Sequence, residues 1–250
     1  MYLCARFSEI RVLGNLVKNK KMEKKKNSVS VLFLLLSVLF CVCLILANVL
    51  ETKQMVIGPV DLTGGLLVFP VSYIINDCVC EVWGYRKMRL LIWLGFVMNF
   101  FFVGLCALCD AIPGAPYWEN DEGFHAIFGL APRIVAASFV AFLVGSFINA
   151  YVMSRMKITS KGKKFSLRAI VSTIFGETAD SVIFFPLAFW GVISAPNLLA
   201  LMLWQVLLKT LYEVIALPLT IRIVRLLKRH EKEDAYDKGI SYNILKIFNL

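Results

Sequence analysis

The sequence predicts an all-α integral membrane protein with six transmembrane helices, and three observations carry that prediction. Of 250 residues, 59% are apolar and only 18% charged, against about 45–50% apolar in ordinary globular chains. Mean hydropathy is +0.73. Stretches 29–50, 90–109 and 134–153 contain no charge at all, and each reaches the roughly 20 residues that cross a hydrocarbon core. Stretches 62–82, 169–194 and 198–221 are as long but carry charges. Backbone groups in lipid must be satisfied within the segment, so the spans are helices. The alternating pattern of a barrel strand is missing. This composition excludes a disordered chain, a secreted disulfide scaffold and almost any water-soluble enzyme.

The order of the elements follows from the charges between them. Residues 1–28 form a basic tail, partly disordered, residues 29–225 the six-helix transport domain, and residues 226–250 a C-terminal tail. The first tail holds 8 Lys and Arg, the 86–89 loop 3, the 155–168 loop 6 and the chain from Arg222 onward 7, together 24 of 27. The 110–130 loop instead carries Asp110, Glu119, Asp121 and Glu122. Cytoplasmic loops are enriched in Lys and Arg, so both termini are expected in the cytoplasm. Topology and attraction to anionic lipid account for the net charge of +10, and no nucleic-acid partner is expected. Residues 1–21 lack periodicity, whereas Met22-Glu-Lys-Lys-Lys26 reads as a cytoplasmic flank. Met22 is therefore an alternative start, with residues 1–21 dispensable.

The motif search is mostly negative. The chain has no phosphate-binding G-x-x-x-x-G-K-[ST] loop, H-E-x-x-H, G-x-S-x-G or G-x-G-x-x-G, so no catalytic residues, cofactor or metal are expected. Cys41-x-Cys43, Cys78-x-Cys80 and Cys106-x-x-Cys109 lack the His company or βαβ setting that metal or redox work requires. Cysteine packs as a small hydrophobe.

What remains is a set of ionisable groups inside spans, where a central charge costs roughly 2.5–3.5 kcal/mol on insertion scales. Asp77 and Glu81 lie four apart on the face that carries Tyr73. Glu177 and Asp180 are three apart, in line with Thr173. Gln205, Lys209 and Glu213 recur every four residues, so Lys209 and Glu213 can neutralise one another. Asp180, Lys209 and Glu213 fall near mid-membrane, and Asp77, Asp180 and Glu213 are expected to face one polar cavity. Before the second span, Gly58-Pro-Val-Asp61-Leu-Thr-Gly-Gly65 interrupts the apolar run, and Pro70 follows. A broken helix beside a substrate and an ordinary turn with a kinked helix both fit this pattern.

These residues carry a resemblance. Asn48-x-x-x-x-Lys53, Gly64-Gly65, Phe69-Pro70 with Tyr73, and Asp77-x-x-x-Glu81-x-x-Gly84-Tyr85-Arg86 resemble the first half of the queuosine precursor transporter family. Ser172-Thr-Ile-Phe-Gly-Glu-Thr-Ala-Asp180-Ser-x-x-Phe184 with Ala188-Phe189-x-Gly191 is similar to its second signature. Glu177 stands where many members carry an uncharged Gln. The resemblance covers about residues 29–225. It implies a six-helix inner-membrane importer of 7-deazaguanines (preQ0, preQ1 or queuine) salvaged for tRNA modification.

The chemistry fits such a cargo. A carboxylate accepts the N–H and NH₂ pair of a guanine-like base in a two-point contact, and aromatic walls suit its flat ring. Asp180 is the first candidate for the base edge. Asp77, Glu213, Tyr73, Glu81, Asn48, Lys209 and Glu177 are further candidates for substrate binding. The expected partners are a purine-like small molecule and the bilayer; a homo-oligomer is left open and ATPase subunits are not expected. The alternative is the substrate-binding subunit of an energy-coupling-factor transporter for a vitamin-like solute.

Overall fold

The structure, a computed structural model, describes residues 30–57, 60–129, 132–191 and 194–247. The basic tail 1–28 and the alternative start at Met22 lie outside these residues. The chain divides into two compact units, Met1–Leu35 and Leu36–Leu250. Of the first, only the opening of helix α1 (Val31–Glu51) is described. The second unit carries the site.

After α1 come a hairpin of β1 (Gln54–Ile57) and β2 (Val60–Thr63), a 3₁₀ turn over Gly64–Leu67 and α2 (Phe69–Trp83). Next are α3 (Tyr85–Asp110), the short α4 (Asp121–Phe128), α5 (Pro132–Thr159), α6 (Phe165–Phe189) and α7 (Ala195–Glu231). Among the described residues six helices are long and apolar enough to cross a membrane. The chain is a multi-pass membrane protein.

Two of the elements differ from the sequence reading. The second crossing opens as an antiparallel hairpin, Gln54 opposite Thr63 and Ile57 opposite Val60, and not as helix from residue 62. At 1.5 Å per residue α2 covers only about 22 Å, and the preceding turn completes the crossing Gly64–Trp83. Pro70 sits in the first turn of α2, where its missing N–H costs nothing, so it starts the helix and does not kink it. The other difference is α7, which runs ten residues past the expected stop at residue 221. Arg222, Arg225, Lys228 and Arg229 are good helix formers, and cations in the last turn suit the negative end of the helix dipole.

Helices α5 and α6 form the most extensive helix pair, and two glycines explain their close approach. A Cβ on Gly145 would lie 3.0 Å from the Gly176 carbonyl oxygen. One on Gly176 would lie 2.8 Å from the Asn149 Cβ and 3.1 Å from the Tyr73 ring. Small residues let backbones meet where lipid supplies no hydrophobic drive between helices.

The basic loops converge on one end of the bundle, where the C-terminal tail is docked and not loose. Asp237 accepts from the Tyr85 backbone N–H at 2.9 Å and from Ser154 Oγ at 2.5 Å. The buried Arg89 guanidinium donates to the carbonyls of Ser241 and Asn243, at 3.1 and 2.9 Å. Gly84 makes the approach possible: its φ is +85°, and a Cβ there would lie 2.7 Å from Asp237 Oδ1. At the other end α4 packs an aromatic cluster of Trp118, Phe124 and Phe128, and His125 Nδ1 lies 2.7 Å from Asp110 Oδ2.

Candidate substrate cavity and its acidic floor

Phe69, Tyr73, Asp77 and Glu81 follow one another at four-residue spacing, so α2 presents them as one stripe along the bundle. Each marks a level. The first is a cavity of about 80 Å³ that takes Ala47 and Asn48 from α1, Gly65 and Leu66 from the turn, and Phe69 from α2. Ser138 and Phe142 of α5, Asp180, Phe184 and Phe185 of α6, and Gln205 and Lys209 of α7 complete its wall. A dry cavity of about 150 Å³ takes benzene, so a bicyclic base enters this one only as the helices part.

At the next level Lys209 Nζ stands 2.9 Å from Glu177 Oε2 and 3.7 Å from Asp180 Oδ2, and 4.1 Å above the centre of the Phe69 ring. The spacing within α7 allowed a Lys209–Glu213 pair; the structure turns Lys209 across to α6 instead. Tyr73 is buried with its hydroxyl unpartnered, within electrostatic reach of Glu177, Asp180, Glu213 and Asp77.

Below Tyr73 the carboxyls of Asp77 and Glu213 face one another. Ser172 Oγ donates to Asp77 Oδ1 at 3.4 Å, and the Thr173 hydroxyl lies beside Glu213. Asn149 Nδ2 donates to Thr173 Oγ1 at 3.4 Å. Neither Asp77 nor Glu213 is on the cavity wall.

The last level closes the basic end. Glu81, 1% exposed, takes a two-point contact from Arg168 at 2.5 and 3.1 Å. Lys228 donates to it at 2.6 Å and Lys157 Nζ lies 3.7 Å away, also reaching the Glu81 carbonyl. Asp234 of the tail bridges the same two lysines at 2.6 and 2.9 Å. Partial burial pushes the Asp234 carboxyl up, but hydrogen bonds from Lys157 and Lys228 outweigh it and hold the group below its ordinary value.

Of the residues singled out from sequence, the structure brings Asp180, Lys209 and Asn48 to the cavity. Glu177 and Tyr73 lie beneath it, Asp77 and Glu213 deeper still. Glu81 belongs to the far ion cluster. Asn48 also donates to Asn99 Oδ1 at 2.8 Å. The sequence reading missed Asn149 and Ser138, whose only signal is a polar side chain in a charge-free span. It also missed Arg168, which reads in the sequence as loop charge.

Fold and site together define a multi-pass membrane protein with a small polar cavity, aromatic-walled, among its helices. A family described as "Putative vitamin uptake transporter" matches residues 63–223, and the chain belongs to that family. It is 24% identical over 193 residues to the "Probable queuosine precursor transporter" of Bacillus subtilis (strain 168), covering 74% of this chain and 82% of that protein. It is 28% identical over 131 residues to the "Queuosine precursor transporter" of Escherichia coli (strain K12), covering 51% and 55%. The "Probable queuosine precursor transporter" of Haemophilus influenzae is 26% identical over 128 residues, covering 51% and 52%. The chain thus spans about half the length of the last two. No solved structure matches.

Proposed function

We infer that this chain imports queuosine precursors, 7-deazaguanines such as preQ0, preQ1 or queuine, across the cell inner membrane for salvage into tRNA. The observation that carries the reading is the cavity: one carboxylate, Asp180, and two amides, Asn48 and Gln205, set among Phe69, Phe142, Phe184 and Phe185. A guanine-like edge offers paired N–H and NH₂ donors, which a carboxylate accepts together. Lys209 is 0.8 Å nearer Glu177 than Asp180, which leaves Asp180 the freer of the two for a ligand. The names of the three relatives support the same cargo class.

In this reading the basic end and docked tail face the cytoplasm. The cavity, set between the end of α1 and the start of α2, lies toward the opposite side. The test is uptake in a precursor-auxotrophic cell that lacks a carrier of its own. Expression of this chain restores queuosine in tRNA when preQ0, preQ1 or queuine is supplied. Failure with all three, at normal membrane abundance, overturns the proposal.

A further inference from the structure

Between the cavity and the Glu81 cluster lie two carboxyls with no cation. Asp77 is 0% and Glu213 2% exposed. Among the described residues no Lys or Arg nitrogen comes within 4.0 Å of either: Lys209 is turned to Glu177 and Asp180, and Arg168, Lys157 and Lys228 to Glu81. Asp77 Oδ2 and both Glu213 oxygens find no donor, and the neighbouring Tyr73 hydroxyl is unpartnered too. The titratable and charged groups facing the pair are Tyr73, Cys78, Cys80 and Glu81 on α2 and Glu177 on α6; α5 contributes the neutral Asn149.

We propose that the Asp77–Glu213 pair is a proton-binding site, distinct from the base cavity, that couples cargo movement to the proton gradient. Two facing carboxylates in a low dielectric cannot both stay ionised at tolerable cost. A single proton removes one charge and supplies a donor between the two carboxyls. A hard metal ion asks for six or more oxygens, and no three His, Cys, Asp or Glu side chains among the described residues form a metal cluster. The location fits a relay. Asp77 is one turn beyond Tyr73 and one turn short of Glu81, while Glu213 is one turn beyond Lys209. The proton is taken from water on the cavity side and released toward the basic end; no other bond is made or broken. The coupling part rests on the import reading, whereas the proton site does not.

Two measurements test the proposal separately. The first is infrared spectroscopy of the purified full chain at pH 6, well above the range near 4 in which free carboxyls ionise. The wild type shows a protonated-carboxyl C=O band that the double variant Asp77→Asn/Glu213→Gln, neutral and nearly the same shape, lacks. Identical bands in the two proteins overturn the proton site. The second is uptake of tritiated preQ0, an uncharged probe, into proteoliposomes. An acid-outside gradient raises wild-type accumulation several-fold over symmetric pH, and in the double variant that ratio falls to about one. An equal ratio in both proteins, or no wild-type response to the gradient, overturns the coupling. Absence of preQ0 movement by the wild type under any condition counts against the import reading instead, and the infrared result still decides the proton site.

Discussion

Glu81→Gln puts the ion cluster at the basic end to a quantitative test. The substitution keeps shape and one acceptor but removes the charge that faces Arg168, Lys157 and Lys228 at 2.5, 3.7 and 2.6 Å. Lys157 and Lys228 retain Asp234 at 2.6 and 2.9 Å, so the loss concentrates on Arg168, itself 1% exposed. Arg168 then keeps the carbonyls of Lys163 and Gly162, at 3.1 and 3.4 Å, the Met153 sulfur at 3.9 Å and the face of the Phe165 ring, none of them a counter-charge. At an effective dielectric of 20, charges about 4 Å apart attract by about 4 kcal/mol, and breaking a buried pair from one side costs about 3–5 kcal/mol. For a chain of this size each kcal/mol shifts the melting point by about 2–4 °C, so a fall of roughly 6–20 °C is expected in a thermal unfolding assay in detergent. Arg168→Met added to Glu81→Gln removes the stranded cation and recovers part of the loss. Lys228→Met, at the exposed edge of the cluster, lowers the melting point less. A shift under about 3 °C for Glu81→Gln, or no recovery in the double variant, refutes the reasoning.

Three further predictions follow from the packing, the tail and the charge distribution. Gly176→Ala forces a Cβ to 2.8 Å from Asn149 and 3.0 Å from the Gly145 carbonyl, so overpacking of about 1–3 kcal/mol outweighs the helix-propensity gain of up to about 1 kcal/mol; an unchanged or raised melting point contradicts this. The tail contribution from Asp234 is complete above its ordinary value of 3.8 and fades as pH falls through the lower folded value. Hydrogen exchange of residues 234–245 therefore rises, relative to that of the helices, on acidification below about pH 4, and Asp234→Asn abolishes the acid step. Single cysteines at Asn120 and Ser160, in a background without the native ones, report topology: an impermeant thiol reagent labels the first from outside intact cells and not the second, and the reverse pattern inverts the assigned orientation.

How far the sequence could be read depends on what each feature needs. Apolar runs of sufficient length are a one-dimensional property, so all six crossings are visible in it. Positions four apart share a helix face whatever the neighbours are, which is why Tyr73, Asp77 and Glu81 could be put on one stripe. Partner choice is different, because it depends on which helices touch. Spacing permits Lys209 to meet Glu213, but the close approach of α6 decides for Glu177 and Asp180. Arg168 and Lys157 read as loop charge because their burial is created by Glu81 and by a tail remote in sequence. That tail shows no periodicity, since Arg89, Tyr85 and Ser154 hold it by its carbonyls and one carboxylate. The hairpin before α2 is too short to stand out in an apolar background.

The central claim is that the cavity at Asp180 reads a 7-deazaguanine edge, and equilibrium titration of the purified chain with preQ0, preQ1, queuine and guanine tests it most directly. The wild type binds at least one 7-deazaguanine saturably, and Asp180→Asn, which replaces an acceptor with a partial donor, weakens that binding. Loss of a charged hydrogen-bond partner costs about 1.5–3 kcal/mol, or roughly 10- to 150-fold in affinity. Unchanged affinity in Asp180→Asn protein of normal fold would contradict the account and move recognition of the base away from Asp180.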